Sequence, residues 1–405
     1  MASSKGTFET VAEAERRARE RLPKFLYVAV KGGVEQGISL ADNAAAFGEL
    51  RFVPRIATGI SGPREQATSV LGQDISFPVF LSPTGAQSSI RPGGELASAR
   101  AAAAAGTAFG VSSFASTPIE EIVRVNPLTF HQMFWLGGRD RMAAIVERAR
   151  NAGAKGLIVT LDFVFTHRKD WGTPLSIAHL PNATRLQLAR YYGGQAIRSP
   201  RWLLPFLRAG VLPDATVPNL GSPEQPRPPF FGAFVEWMQT PPPTWSDIAW
   251  LREQWGGPFV VKGIAHPDDA RQAVDIGATA IAVSNYGGGN LDGTPGTIRL
   301  LPAIAAAVGG QVEIILDGGV QRGSDVVKAV ALGARAVGIG RSFIWGLTVN
   351  GEAGVSNVLQ IIRAGIDETL NGLGRASIHD VTPEDVVVPP GFAASPVSAA
   401  LASIS

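Results

Sequence analysis

Residues 313–341 read EIILDGGVQRGSDVVKAVALGARAVGIGR. The run opens on an apolar stretch, EIIL at 313–316, and turns on Asp317-Gly318-Gly319. It continues as GSDVVKAVALG, 323–333, whose apolar positions recur at helical spacing. A second apolar stretch, AVGIG at 336–340, follows directly. Strand, turn, helix and strand in so short a span make one βαβ unit, whose two strands run parallel. Neither strand alternates apolar with polar residues, so both faces of the sheet are expected to be buried.

The same rhythm runs back along the chain. Further strands are read in PVFLS (78–82), TAFGV (107–111), LTFHQMF (128–134), GLIVTL (156–161), FVVKG (259–263) and AIAVS (280–284). Helical stretches lie between them, including GGELASARAAAAA (93–105), GRDRMAAIVERARNAG (138–153) and DDARQAVDIG (268–277). With the strands at 313–316 and 336–340 the set reaches the number of an α/β (β/α)8 TIM barrel. An open doubly wound sheet is the alternative, and the strand count favours the barrel. Residues 61–385 are assigned to it, preceded by a helical lead-in at 1–60 that is expected to close the barrel's bottom. Residues 163–245, rich in Pro, Trp and Phe, interrupt the rhythm after the fourth strand. An insertion there belongs over the mouth of a barrel, as a lid or substrate loop, with a structural excursion or oligomer contact as the plainer reading. Residues 386–405, rich in small side chains, are expected to form a flexible tail.

Composition narrows the function. Of 405 residues, 45% are apolar and 17% charged, with a formal net charge of +2, so a packed core is expected and a nucleic-acid partner is not. There is no cysteine, which removes disulfides, thiolate metal sites and a cysteine nucleophile. No His/carboxylate cluster has metal spacing, so no metal is expected. The opening MASSKGTFETVAEAERRARERL has no apolar signal core, and no stretch is long enough to span a membrane. The expected compartment is cytoplasmic.

In such a barrel, chemistry gathers where the strands end. Those ends are polar here: Pro83-Thr84-Gly85, Ser112-Ser113, Gln132, Thr160 and Asp162, Lys262, Ser284-Asn285-Tyr286, Asp317-Gly318-Gly319, Gly340-Arg341. Glycines and an arginine at two helix starts, after strands seven and eight, suit a phosphate. Plain helix-start turns would explain the glycines but not Arg341 beside them. Lys262, closing an apolar strand, either snorkels to the rim or serves a function. A flavin would supply one, since reduction places negative charge on the ring and a fixed cation stabilises it. No strand–GxGxxG–helix fingerprint is present, so a nicotinamide dinucleotide is not indicated.

These residues carry a resemblance. The stretch from SNYGGGNLDG (284–293) through GIGRSFIWGL (338–347), with LPKFLY, SPTGAQ, VSSFAS and LTFHQMF, resembles the FMN-dependent 2-hydroxy-acid oxidase and dehydrogenase family. FTHRKDWGTP, PRWLLPFL and PPFFGAFVEWMQTPPPTW are similar to its mycofactocin-system branch. The resemblance implies FMN held by Pro83, Thr84, Gly85, Ser112, Gln132, Thr160, Lys262 and Ser284. Its phosphate would sit against Asp317, Gly318, Gly319, Gly340 and Arg341. Gln321 stands where the family has arginine, with Arg322 as a possible substitute. A homo-oligomer, a tetramer, is also implied.

The substrate side departs from the family. Its histidine base aligns with Tyr286, one carboxylate-binding arginine with Gly289 and another with Lys169, and two pocket tyrosines with Ala29 and Phe134. Losing bidentate carboxylate contacts removes the reason for a small hydroxy acid to bind. The pocket should instead be roomier and more apolar. The resemblance then implies oxidation of an amine-bearing carbon in a bulky peptide-derived substrate, as in mycofactocin-type cofactor maturation. Tyr286 is a poor base unless Lys169 or another cation lowers its pKa. It is assigned to orienting the substrate, with His167, near Asp162, as the stand-in base; a loop histidine bonded to backbone is the plainer reading of His167. His131, His179, His266 and His379 are read as structural or surface. Two other readings stay open: a 2-hydroxy-acid oxidase working through Tyr286, and a flavin-binding or scaffold protein without turnover.

Overall fold

The computed structural model describes residues 7–162, 169–171, 192–214, 216–221 and 226–393. Its centre is a closed barrel of eight parallel strands. In chain order they are β1 (Val79–Leu81), β2 (Phe109–Ser112), β3 (Thr129–Phe134), β4 (Gly156–Thr160), β5 (Phe259–Ile264), β6 (Ala280–Val283), β7 (Glu313–Asp317) and β8 (Ala336–Ile339). Each pairs with its sequence neighbours, and β8 pairs with β1 to close the ring. All eight coincide with the apolar runs read from the sequence, because strands buried on both faces need continuous apolar stretches.

Strand periodicity places the site. Phe80, Ala108, Phe130, Ile158, Val260, Ala282, Ile315 and Ala336 share one apolar cluster. Two residues further on come Ser82, Gln132, Thr160, Lys262, Ser284 and Asp317, and on β2, four further on, Ser112. Side chains repeat to the same face every second residue, so an apolar layer at the bottom carries a polar layer above it. Burying one phenylalanine of the lower layer stabilises by about 2 kcal/mol, so this floor is a firm support.

The bottom is plugged by a hairpin, Thr68–Val70 with Gln73–Ile75, whose Val70, Leu71 and Ile75 join the lower cluster. The Leu71 N–H donates to Glu313 at the start of β7, 2.8 Å away. The lead-in therefore does not close the bottom, contrary to the sequence expectation. Its helices, Val11–Arg21, Lys24–Lys31 and Ile38–Glu49, lie at the opposite end. Asn43 bonds Asn285 beyond β6, and the Lys31 carbonyl accepts from Arg341 beyond β8 at 2.9 Å. The hairpin already fills the lower opening, so the apolar face of the lead-in finds its partners at the mouth.

The expectation of a loose tail from 386 is also corrected as far as residue 393. Val386–Val387 pairs antiparallel with Arg51–Phe52, and Phe392 is buried beneath the Arg299 guanidinium. Within 163–245, the helices Pro200–Ala209 and Phe230–Gln239 and the turn Pro218–Leu220 are described. Asn219 caps the helix Ile119–Val125 from that turn, accepting from the Ile119 N–H at 2.9 Å.

Candidate active site

The polar layer resolves into two hydrogen-bonded groups. Across β2, β3 and β4, Ser112 donates to Gln132 Oε1 at 3.0 Å, and Gln132 Nε2 donates to Thr160 at 2.9 Å. Across β5, β6 and β7, Lys262 Nζ donates to Ser284 Oγ at 2.6 Å and lies 3.1 Å from Asp317 Oδ2. Ser284 Oγ in turn donates to Asp317 Oδ1 at 2.6 Å. Burial alone would lower the Lys262 pKa, but Asp317 and Asp162 outweigh it and raise it, so the ammonium is kept charged. A buried cation thus sits at the centre of the rim.

Asp162, just beyond β4, is different. Both of its carboxyl oxygens are shut off from solvent and meet no well-aligned hydrogen-bond partner among the described residues, although the backbone N–H groups of Asp162 and Tyr286 lie close enough to oppose the effect of burial on its pKa. Burial raises its pKa, with Asp317 adding to the effect and Lys262 opposing it. The hydroxyls of Ser82 and Ser113 are buried without partners. Unpaired buried polar groups on one face of a barrel are costly unless a ligand or water completes them.

At the β7 and β8 ends, Gly318 and Gly319 have φ of 104° and 82°. A Cβ on Gly319 would fall 1.8 Å from the Asn43 carbonyl oxygen, so only glycine fits under the lead-in. Two helices, Gly323–Ala331 and Arg341–Leu373, point their N-termini here, with Gly340 as the cap of the second. Their first N–H groups suit an anion. The Arg341 guanidinium donates to the Lys31 carbonyl and passes beside Gly287, tying the lead-in down, so this residue would offer an anion its backbone N–H. Arg322 is exposed at the start of the first helix. Pro83, Thr84 and Gly85 follow β1; a Cβ at Gly85 would press on the Phe114 carbonyl at 2.8 Å, so backbone is the only surface offered there.

The loop 284–293 explains its own glycines. Asn285 accepts from the Gly288 N–H at 3.0 Å, closing a tight turn, and a Cβ on Gly288 would meet Leu40 N at 2.5 Å. Tyr286 is held at φ 55°, a conformation rarely adopted by a bulky side chain. The residue is 38% exposed, and its ring centroid lies 5.6 Å from the Lys262 ammonium. Burial of the hydroxyl, with Asp162 and Asp317, pushes its pKa well up. The cationic lowering considered from the sequence does not occur. Lys169 is committed elsewhere, donating to the Gly32 and Val28 carbonyls at 3.0 and 3.4 Å. Burial and the Arg341 charge push its pKa down to about 8.

The remaining wall is aromatic. Phe134 at the end of β3 packs on Trp237 with ring centroids 4.1 Å apart, and lies 5.6 Å from Phe114 and 6.4 Å from Tyr286. Trp237, on the inserted helix Phe230–Gln239, was not singled out from the sequence; it stands in the quoted PPFFGAFVEWMQTPPPTW. Glu95 was missed too. Fully buried, it accepts from the Gln87 and Ser116 N–H groups at 2.9 Å each, binding the loops after β1 and β2 together. Gly289 is half-buried beside Tyr286, and Ala29 is exposed on the lead-in. His167 and His179 lie outside the described residues. His131 is buried behind β3, His266 caps the helix Pro267–Asp275, and His379 bonds the Ala67 carbonyl at 2.8 Å.

The donor set suits FMN: a fixed cation, orphaned hydroxyls and a buried carboxyl at the strand ends, with helix N-termini for its anionic end. Fold and site together define a flavin-dependent oxidoreductase built on a (β/α)8 barrel. A family model described as FMN-dependent dehydrogenase matches residues 18–388, and the chain belongs to that family. It is 57% identical over 385 residues to the pre-mycofactocin synthase of Mycobacterium tuberculosis (strain CDC 1551 / Oshkosh), covering 95% of this chain and 96% of that one. To human 2-hydroxyacid oxidase 1 it is 37% identical over 359 residues, 87% of this chain and 89% of the other. Among solved structures, the monotopic membrane protein (S)-mandelate dehydrogenase superposes with a TM-score of 0.84 at 30% identity, covering 94% of this chain and 99% of that one. The cofactor is FMN, and the protein is an oxidoreductase. Among the described residues, no helix is long and apolar enough to cross a membrane, and no group of residues could hold a metal ion.

Proposed function

We propose that the enzyme oxidises the amine-bearing carbon of a bulky peptide-derived substrate, in mycofactocin-type cofactor maturation. The observation that carries this reading is the commitment of both site lysines. Lys262 is engaged by Ser284 and Asp317, Lys169 by two carbonyls, and position 289 is glycine. A substrate carboxylate therefore lacks the bidentate cationic clamp that would hold it. The Asp162 carboxyl, which has only poorly aligned backbone contacts, instead offers an acceptor to an ammonium, and Phe134 and Trp237 offer apolar contact to a large neighbouring group.

Bound FMN supplies a two-electron acceptor for the hydride. The nitrogen lone pair must be free to form the C=N bond as the C–H pair departs, so the substrate ammonium first gives up a proton. Asp162, whose pKa burial raises, takes it; the sequence assignment of this role to His167 falls on a residue outside the described set. The resulting iminium adds water and releases ammonia, leaving a carbonyl. Tyr286, kept a neutral phenol by its surroundings, orients the substrate by ring contact and hydroxyl. The residues around the cofactor would be Ser112, Gln132, Thr160, Lys262 and Ser284 beside the ring, and Gly318, Gly319, Gly340 and Arg341 at the phosphate.

Anaerobic mixing of the yellow protein with a panel of amines and 2-hydroxy acids tests the reading. Bleaching by a bulky aminolactam, with no response to lactate, glycolate or mandelate, is the expected result. Comparable bleaching by a hydroxy acid would overturn it.

A further inference from the structure

An acid in the first turn of a helix ordinarily meets the helix dipole from the surface. Glu95, in the first turn of the helix Gly94–Ala104, is instead fully buried, and its hydrogen bonds come from outside that helix. Oε1 accepts from the Gln87 and Ser116 N–H groups at 2.9 Å each. Oε2 accepts from the hydroxyls of Ser88 at 2.6 Å and Thr117 at 3.2 Å. Each oxygen thus takes one bond from the loop after β1 and one from the loop after β2. A residue serving only its own helix needs no such set.

Each loop leads on to one side of the site. Gln87, itself buried, donates through Nε2 to the Thr84 carbonyl at 3.0 Å and accepts from Ser98 Oγ at 2.7 Å. Its amide therefore fixes the backbone at Thr84 and Gly85, the stretch that would meet FMN. On the other side, Ser116 Oγ donates to the Asp214 carbonyl at 3.2 Å, and the Thr117 carbonyl accepts from Asn219 at 3.0 Å. Arg141 joins this part of the insertion to the helix Phe230–Gln239, bonding the Leu220 carbonyl at 3.1 Å and Glu236. The loop after β2 also carries Phe114, whose ring centroid lies 5.6 Å from Phe134, 5.4 Å from Phe230 and 5.9 Å from Trp237. The two loops meet once more where the Ala86 N–H donates to the Phe114 carbonyl at 3.0 Å.

We propose that Glu95 is a positioning residue for the flavin reaction, holding the backbone at Thr84–Gly85 and the aromatic wall around Phe114 in one register. Buried behind its four donors, it acts through Gln87 on the cofactor side and through Ser116 and Thr117 on the insertion side. The inference rests on FMN occupying this rim, which Lys262→Met reads separately, and it holds whichever substrate is oxidised.

The test compares FMN-loaded wild type, Glu95→Gln and Glu95→Leu by fluorescence titration of FMN, visible circular dichroism of the bound flavin, and hydrogen exchange. Glu95→Gln keeps one oxygen for the two N–H groups, and its amide donates to hydroxyls that turn to accept, so it should match wild type. Glu95→Leu should bind FMN about tenfold more weakly, the effect of losing one buried hydrogen bond. Its flavin dichroism should change, which a loss of stability alone would not produce. Exchange in the helix Phe230–Gln239 should rise about tenfold while the barrel strands stay protected. Two further variants divide the effect and carry the test should Glu95→Leu not fold. Gln87→Met should alter the flavin signal alone, and Asn219→Ala the exchange of that helix alone. Unchanged dichroism in a folded Glu95→Leu or in Gln87→Met, unchanged exchange in Asn219→Ala, or a Glu95→Gln as perturbed as Glu95→Leu would each overturn the proposal.

Discussion

The side-chain amides of Asn43 and Asn285 donate to each other, at 2.9 and 3.0 Å, across 242 positions of chain. Asn43 also accepts from the Thr297 N–H at 3.1 Å, and Asn285 from the Gly288 N–H at 3.0 Å. The pair thus fixes the lead-in to the loop that presents Tyr286. Asn43→Ala would leave the buried Thr297 N–H without its partner and strip two bonds from the Asn285 amide, which keeps the Pro295 carbonyl and the Gly288 N–H, costing about 1–3 kcal/mol. Urea unfolding should show that loss, and FMN affinity should fall by roughly tenfold because the Tyr286 loop and the Gly318–Gly319 turn lose a shared support. Unchanged stability would mean the contact is dispensable.

Lys262 offers a second test, independent of substrate. Its ammonium is buried between Asp317 and Asp162 and is held charged by them. Lys262→Met removes the only cation placed beneath the Tyr286 ring among the described residues, and leaves the carboxylates unopposed. Negative charge on a reduced flavin should then be disfavoured, lowering the midpoint potential by about 30 mV or more, which for two electrons corresponds to about 1.4 kcal/mol. Spectroelectrochemistry reads this directly. An unshifted potential in a variant that still binds FMN would remove Lys262 from the flavin's charge balance.

The strands and the polar ends they carry were legible because buried parallel strands need uninterrupted apolar runs, and a polar residue ending one has few structural reasons to be there. Lys262 after FVV and Asp317 after EIIL are such cases. What stayed hidden depends on contacts between distant segments. Nothing in the spacing around Asn43 says that its carbonyl will lie where a Cβ on Gly319 would be, or that the lead-in will lie at the mouth. The plugging hairpin at 68–75 is too short to announce a role, and Glu95 sits within a helix that reads as ordinary. Trp237 was in view as part of a motif, but its meeting with Phe134 required the inserted helix to fold back over β3.

His131 predicts a pH dependence. It is buried on β3, with neither ring nitrogen bonded among the described residues, and burial, aided by Arg148, lowers its pKa to about 4. The unfolded chain binds a proton near pH 6.5, whereas the folded one resists until about 4. Stability is therefore full above 6.5 and is lost as pH falls toward 4, by up to about 3 kcal/mol. His131→Phe should flatten the melting temperature across that window. Glu120, whose pKa is depressed through Arg148 against the opposing effect of burial, keeps its own loss at lower pH. A slope identical to wild type between 4 and 6.5 would assign the effect to other groups.

Restoring the missing chemistry gives the most direct test of why the pocket differs. Tyr286→His places an imidazole, with an ordinary pKa near 6.5, where the phenol's is pushed up, and histidine tolerates the positive φ of this position better than tyrosine does. Gly289→Arg adds a guanidinium beside it; φ there is −96°, open to any residue, and the new Cβ would meet Tyr286 O and Cδ1 at 3.1 and 3.2 Å, a squeeze that the smaller imidazole relieves in part. The double variant should gain flavin reduction by lactate or mandelate, while reduction by the aminolactam falls about tenfold or more as a cation opposes its ammonium. Either single variant should gain less, because a base without a carboxylate clamp, or a clamp without a base, completes only half of what a hydroxy acid requires. Stopped-flow absorbance of all three resolves the outcome, and a double variant as inert toward hydroxy acids as the parent would show that Phe134 and Trp237, not positions 286 and 289, set the specificity.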